Sequence, residues 1–173
     1  MTIKIISRSI LIMFTVALAV YYFYPQQKLS PNIKIDYLLI LKSKRHLVAY
    51  SNGQPVKTYK ISLGRNPIGD KEYEGDKKTP EGVYYINGKN PTSGYYKNLG
   101  ISYPNEKDIA ACRKAQKPTG GDVKIHGLRN GLGFIGKFQR WMDWTEGCIA
   151  LTNQEVEELY NAVAIGTKIE IQQ

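Results

Sequence analysis

The sequence predicts a mainly β or α+β fold: one sheet-based domain with one or two helices, preceded by an apolar N-terminal segment. Three observations carry this. Short apolar or alternating runs recur along the chain, each bounded by Gly, Pro, Asn or Asp. Only two stretches beyond the N terminus read as helical. The length of 173 residues, with 42% hydrophobic and 23% charged residues, suits one domain with a core and leaves little room for two.

The elements follow in order. Ile35 to Lys42 reads as a buried strand, with Leu38 to Leu41 continuously apolar. His46 to Ser51 is a second strand, and Asn52-Gly53 is a hairpin turn signal. Val56 to Leu63 is a third. Gly64 to Pro80 is polar and reads as loop. Val83 to Ile86 is a short strand, and Gly88 to Tyr96 reads as loop. Glu106 to Lys117 is a candidate helix, ended by Pro118 and Gly120-Gly121. Val123 and Ile125 alternate with charge, so Asp122 to His126 is a strand. Residues 127 to 147 are Gly-rich and aromatic without a clean period. Cys148 to Leu151 is a short apolar run. Thr152 and Glu155 form a capping-box pattern that starts a helix running to about Ala162. Gly166 to Ile171 closes the domain as a strand.

Ahead of the domain, Lys4 and Arg8 precede an apolar run from Ile10 to Tyr24. A basic segment followed by an apolar one is an export signal. Ala17-Leu18-Ala19 has the form of a cleavage site, whereas the aromatic cluster Tyr21 to Tyr24 suits a retained anchor at a membrane interface. Residues 1–24 are therefore expected to be a signal peptide or a membrane anchor, 25–33 a linker, and 34–173 the folded domain. Either reading places the domain in the periplasm or cell envelope, attached to the inner membrane if the segment stays uncleaved. The net charge of +9 favours anionic partners. Export removes nucleic acid from that list. With two cysteines only, Cys112 and Cys148, a disulfide-stapled scaffold is not indicated.

Two segments carry chemistry: Lys124-Ile125-His126-Gly127 and Trp144-Thr145-Glu146-Gly147-Cys148-Ile149-Ala150-Leu151. In each, a reactive side chain sits beside a glycine at the end of a short strand. A thiol attacks as thiolate and needs a nearby base. Histidine takes that proton near neutral pH. Gly147 permits a sharp turn, and its N–H with that of Cys148 suits an oxyanion. The carbonyl of Gly127 is positioned to fix the imidazole tautomer, as a carboxylate does in a serine triad. Taken alone, a buried inert Cys148 and a core His126 explain the same residues.

The ordered motifs resemble those of the L,D-transpeptidase catalytic domain family. His126-Gly127 resembles its H-G element, and Thr145-x-Gly147-Cys148-Ile149 its [S/T]-x-G-C-[I/V/L] element. Thr79-Pro80-Glu81-Gly82-Val83-Tyr84 resembles its T-P-x-G-x-Y segment, and Gly166-Thr167-Lys168-Ile169 its closing strand. The resemblance runs from about Ile35 to Ile171. It implies a β-sandwich-like domain acting on peptidoglycan stem peptides. Cys148 is then the nucleophile, His126 the base, Gly127 its orienting carbonyl, and Gly147 with Cys148 the oxyanion site. No metal or cofactor is implied. Glu146 stands where the family usually has His, and Ala150 where it usually has Arg. This T-E-G-C-I-A pattern resembles a divergent Gram-negative branch.

The resemblance leaves the acyl acceptor open. Capture of a thioester by an amine gives a transpeptidase. Capture by water gives a hydrolase or amidase, including one that releases murein-bound lipoprotein. A catalytically silent wall-binding module is a third reading. The order His before Cys excludes a papain-like arrangement. Arg129, Lys137 and Arg140 lie between the motifs and are candidates for stem-peptide carboxylates. Trp144, Thr145 and Glu146 are further candidate substrate contacts. A Cys112–Cys148 bridge would be a redox switch.

Overall fold

A computed structural model describes residues 2–173, with side chains from Ser7 onward; Met1 and the Lys4 side chain of the basic segment lie outside the described residues. Eight strands form one sheet: β1 (Ile35–Leu41), β2 (His46–Ser51), β3 (Gln54–Lys60), β4 (Gly82–Ser93), β5 (Tyr96–Ile101), β6 (Lys124–His126), β7 (Ile149–Ala150) and β8 (Val163–Gln172). Their spatial order is β3-β2-β1-β8-β4-β5-β6-β7. Helices α1 (Thr2–Phe23), α2 (Glu106–Lys114) and α3 (Asn153–Ala162) and a 3-10 segment, Gly133–Trp141, complete the described elements.

β1, β2 and β3 form an antiparallel meander. Asn52 and Gly53 both have positive φ, as the two-residue turn that matches strand twist requires. β8 lies parallel to β1 and antiparallel to β4. β4 then changes partners. Gly82 to Tyr85 pair with β8, and from Ile86 onward the strand pairs with β5, with irregularities between Ile86 and Gly88 and between Asn90 and Ser93. Bulges of this kind bend a strand and raise its twist, and the sheet curls there around its core. Gly88 to Tyr96 is therefore the second half of β4 and a hairpin, not a loop. β5 has no counterpart among the sequence-predicted strands. Pro91 falls within the second irregularity, where it removes no ladder bond.

The core is built from Leu38, Ile40, Leu47, Leu63, Tyr84, Leu99, Ile125, Ile149 and Ile169, all inaccessible to solvent. α3 packs on β5 through its buried Val156 and Leu159. Its capping box is formed reciprocally: Glu155 N–H donates to Thr152 Oγ1, and Thr152 N–H to Glu155 Oε2 at 3.1 Å. The sheet-based single domain expected from the sequence is the fold observed. α1 is a continuous 22-residue helix ahead of it. Among the described residues no helix is long and apolar enough to cross a membrane.

Candidate active site

β6 and β7 lie side by side and parallel, pairing Ile125 with Ile149 and His126 with Ala150. Alternate residues of a strand face opposite ways. Ile125 and Ile149 enter the core, so Lys124, His126, Cys148 and Ala150 share the other face. Cys148 immediately precedes β7 and is the diagonal neighbour of His126. The two chemical segments, separated by 16 residues in the chain, thus meet through strand pairing.

His126 Nδ1 stands 2.7 Å from the Gly127 carbonyl. A carbonyl only accepts, so Nδ1 carries the proton and Nε2 is left with its lone pair. The ring is buried and held by aromatics. Tyr95 lies against it at 4.7 Å between centroids, and Trp144 meets it edge-on at 5.6 Å. Burial pushes the imidazole pKa below its ordinary value, only partly opposed by the Gly127 hydrogen bond and aided by the nearby Lys124 charge. The imidazole is therefore neutral at neutral pH.

Burial also pushes the Cys148 thiol up, against the lowering influence of the Lys124 backbone and ammonium. The thiol is therefore protonated at neutral pH. Sγ is directed at the Asp122 carbonyl, 3.8 Å away. It opens on a cavity of about 330 Å³ lined by Lys71, Glu74, Gly120, Gly121, Asp122 and Glu146. Two loops wall this cavity. One is the segment around Asp76, whose carboxylate accepts from Lys71 Nζ at 2.7 Å and from the Glu72 and Lys78 amides. The other is residues 118–122, tied to the first by the Glu74 N–H bond to the Pro118 carbonyl.

The turn before Cys148 is set by Thr145. Its N–H and C=O bond Leu63 and Arg65, its hydroxyl donates to the Cys148 carbonyl at 2.7 Å, and the same oxygen accepts from Gly147 N–H at 3.1 Å. Gly147 has φ +133°, and a Cβ there would stand 2.8 Å from the Lys78 carbonyl. The residue must be glycine on both counts. The expected oxyanion pair changes accordingly. Gly147 N–H already has a partner, whereas Cys148 N–H has none among the described residues.

The remaining candidates divide. Trp144 lies in the site but acts on His126, and its Nε1 donates to Gln139 Oε1 at 2.9 Å. Glu146 borders the cavity and pairs with Arg65 at 2.8 Å, both exposed. Arg129 is exposed and lines, with Trp144, an apolar recess of about 270 Å³ distinct from the Cys148 cavity. Lys137 and Arg140 lie apart from the Cys148 cavity. Lys137 Nζ caps the end of α1, bonding the carbonyls of Tyr21 and Tyr24. Arg140 forms a buried ion pair with Glu155 at 2.6 Å. Both side chains hold helices, and the cavity they line shares no residue with that of Cys148. Cys112 is free and buried, its thiol donating to the Glu72 carbonyl at 2.9 Å beneath the first wall loop; no bridge to Cys148 is formed.

Sequence reasoning missed Tyr95, Gln139 and Lys42. In the sequence Lys42 reads as the end of a strand. Its ammonium is fully buried and bonds Gly69 O at 2.6 Å, Thr79 O at 2.9 Å and Glu81 Oε1 at 2.8 Å. It thereby fastens the Thr79-Pro80-Glu81 segment. Thr79 Oγ1 in turn accepts from Gly64 N–H at 3.1 Å, and Gly64 abuts Gly147. A lone lysine at a strand end gives no signal of this in the sequence. Among the described residues, no cluster of His, Cys, Asp and Glu gathers to hold a metal.

Known proteins share this arrangement of chain. The model of the L,D-transpeptidase catalytic domain matches residues 35–171. The protein named "Putative L,D-transpeptidase YafK" of Escherichia coli (strain K12) is 31% identical over 146 residues, covering 81% of this chain and 50% of that protein. The helical cell shape determining protein Pgp2 from Campylobacter jejuni superposes with a TM-score of 0.61 at 28% identity, over 82% of this chain and 49% of that one. An L,D-transpeptidase from Xylanimonas cellulosilytica shares the fold with a TM-score of 0.53 at 15% identity, over 85% of this chain and 65% of that one. The chain spans about half the length of the curated relatives it matches. With nearly all of its residues beyond the N-terminal helix matched, the chain belongs to the L,D-transpeptidase catalytic domain family.

Proposed function

We propose that this chain is a cysteine acyltransferase of the cell envelope that acts on peptidoglycan stem peptides through a thioester at Cys148. The observation that carries the reading is the Gly127 carbonyl 2.7 Å from His126 Nδ1, which leaves Nε2 basic on the face shared with Cys148. Membership of the family supports the substrate class.

The resting pair is a neutral thiol and a neutral imidazole. On substrate binding Sγ turns from the Asp122 carbonyl toward His126, and its proton passes to Nε2 as Sγ attacks the carbonyl carbon of the L-centre. Cys148 N–H faces the oxyanion. Collapse breaks the bond to the terminal D-residue, whose amine takes the proton back from Nε2. An amine acceptor then displaces Sγ and forms a new amide. If water enters instead, the product is the free acid and the enzyme is a hydrolase, one form of which would free murein-linked lipoprotein. Trp144 and Tyr95 hold the ring throughout, and Thr145 holds the turn.

The test is incubation of the full chain with purified muropeptides. The reading expects an acyl adduct by intact mass that is absent from Cys148→Ala. Adding a D-amino acid separates the two fates: incorporation marks the transferase, and shortened stems alone mark the hydrolase. Unaltered muropeptides with no adduct would favour the silent wall-binding module and end the proposal.

A further inference from the structure

The last turn of α1 is fastened to the 3-10 segment by reciprocal bonds. Tyr22 Oη donates to Phe134 O at 2.7 Å and Tyr21 Oη to Lys137 O at 3.3 Å, while Lys137 Nζ returns to the carbonyls of Tyr21 and Tyr24. Tyr21 packs on Phe138 and Trp141, and Tyr22 on Phe138, at 5.4 to 5.8 Å between centroids. Gly136, with φ +50°, lets Tyr22 approach so closely that a Cβ would stand 2.9 Å from its ring. α1 is thus a rigid extension of the domain. Nothing in the domain covers the part before that turn: Ile10, Leu11, Ile12, Met13, Phe14 and Val16 are all more than half exposed. At the foot of the helix, Phe23, Phe134, Trp141 and Met142 are 60–77% exposed.

An apolar rod ending in a ring of exposed aromatics has the composition of a membrane interface. The charge beside it agrees. A cavity of about 410 Å³ opens between α1 and the domain, lined by Tyr21, Tyr24, Lys57, Lys60, Lys137 and Arg140 among others. Three of these four bases are already engaged: Lys57 with Glu158, Arg140 with Glu155, and Lys137 with the end of α1. Arg140 Nε is buried there, and among the described residues it has no partner and the exposed Lys60 has no ion pair. The protein as a whole carries +9.

We propose that the junction of α1 and the 3-10 segment is a docking surface for an anionic lipid bilayer. The apolar stretch of α1 enters the acyl layer, Phe134, Trp141 and Met142 sit at the headgroup boundary, and Lys60, at the mouth of the cavity, meets the lipid phosphates. The uncovered apolar stretch, residues 9 to 20, is about 18 Å long within a 22-residue helix of about 33 Å, shorter than the roughly 30 Å hydrocarbon layer. The domain then has a fixed orientation on the membrane, because the 3-10 segment that touches lipid also holds Gln139, the partner of Trp144. This inference is independent of the chemistry at Cys148.

The test uses the full chain with vesicles of phosphatidylcholine, with and without phosphatidylglycerol, and with brominated acyl chains for depth. Binding is expected to be tighter on the phosphatidylglycerol vesicles. Lys60→Gln is expected to weaken that binding about fivefold, the share of one lysine at an anionic surface, and to leave binding to phosphatidylcholine unchanged. Trp141 fluorescence is expected to be quenched by shallow bromines, and the quenched fraction to vanish in Trp141→Phe. Equal binding to both vesicles, a vesicle-bound protein whose Trp141 is unquenched, or assembly of α1 into oligomers that exclude lipid would each overturn the proposal.

Discussion

Lys42→Met removes one ammonium and leaves a side chain of similar length. In the native protein that ammonium is wholly buried and satisfies Gly69 O, Thr79 O and Glu81 Oε1. Burial depresses its pKa, and Glu81 holds it charged against that tendency. Without it, the buried Thr79 carbonyl loses its donor at about 1–3 kcal/mol, and the half-buried Gly69 carbonyl loses part of that. Glu81 is 25% exposed and regains water, so its share is discounted. The methionine stem returns part of the packing. The net cost is about 3–5 kcal/mol, in line with breaking a buried pair from one side. For a chain of this size that lowers Tm by about 10 °C. The loss also reaches the site, because Thr79 holds Gly64 and Gly64 backs Gly147. Urea titration and thermal melting read the stability, and intact-mass kinetics with muropeptide read the site. A variant within about 1 kcal/mol of the wild type that still forms adduct at the native rate would refute the claim that Lys42 fastens the Thr79–Glu81 segment beneath the nucleophile.

Three further outcomes follow from the same geometry. Gly147→Ala forces a side chain into φ +133° and against the Lys78 carbonyl; a fold near native by circular dichroism with at least a tenfold loss of acylation is expected, ΔΔG‡ of about 1.4 kcal/mol or more. Alkylation of Cys148 by iodoacetamide is expected to keep rising with pH beyond neutrality, because burial raises the thiol pKa; a plateau below neutral pH would mean a preformed thiolate. The folded pKa of His126 lies below its unfolded value of 6.5, so the unfolded chain binds the proton more readily. Its contribution to stability is intact above that pH and declines as pH falls through it; urea midpoints across this range should show the decline in the wild type and a flatter profile in His126→Gln.

The sequence reads well where local chemistry decides structure. The Asn52-Gly53 turn, the Thr152–Glu155 capping box and the strand from His46 to Ser51 need only their own residues. β5 escapes because Asn98 and Gly100 are poor strand formers; that segment is a strand because β4 and β6 flank it. The same limit governs the site. Cys148, His126 and Gly127 are legible because reactive groups beside glycines form a pattern. The burial of Lys42, the hold of Gln139 on Trp144, and the spending of Lys137 and Arg140 on helices depend on partners far away in the chain. A basic residue between two motifs looks the same whether it meets a substrate or a helix end.

The central claim is that Cys148 carries the acyl group with His126 as its base. Intact-mass spectrometry of the full chain after brief exposure to muropeptide, followed by peptide mapping, tests it most directly. One stem-acyl increment is expected on Cys148 in the wild type, a slow trace of it in His126→Gln, and none in Cys148→Ala. An increment that persists in Cys148→Ala, or that maps to Cys112, would contradict it.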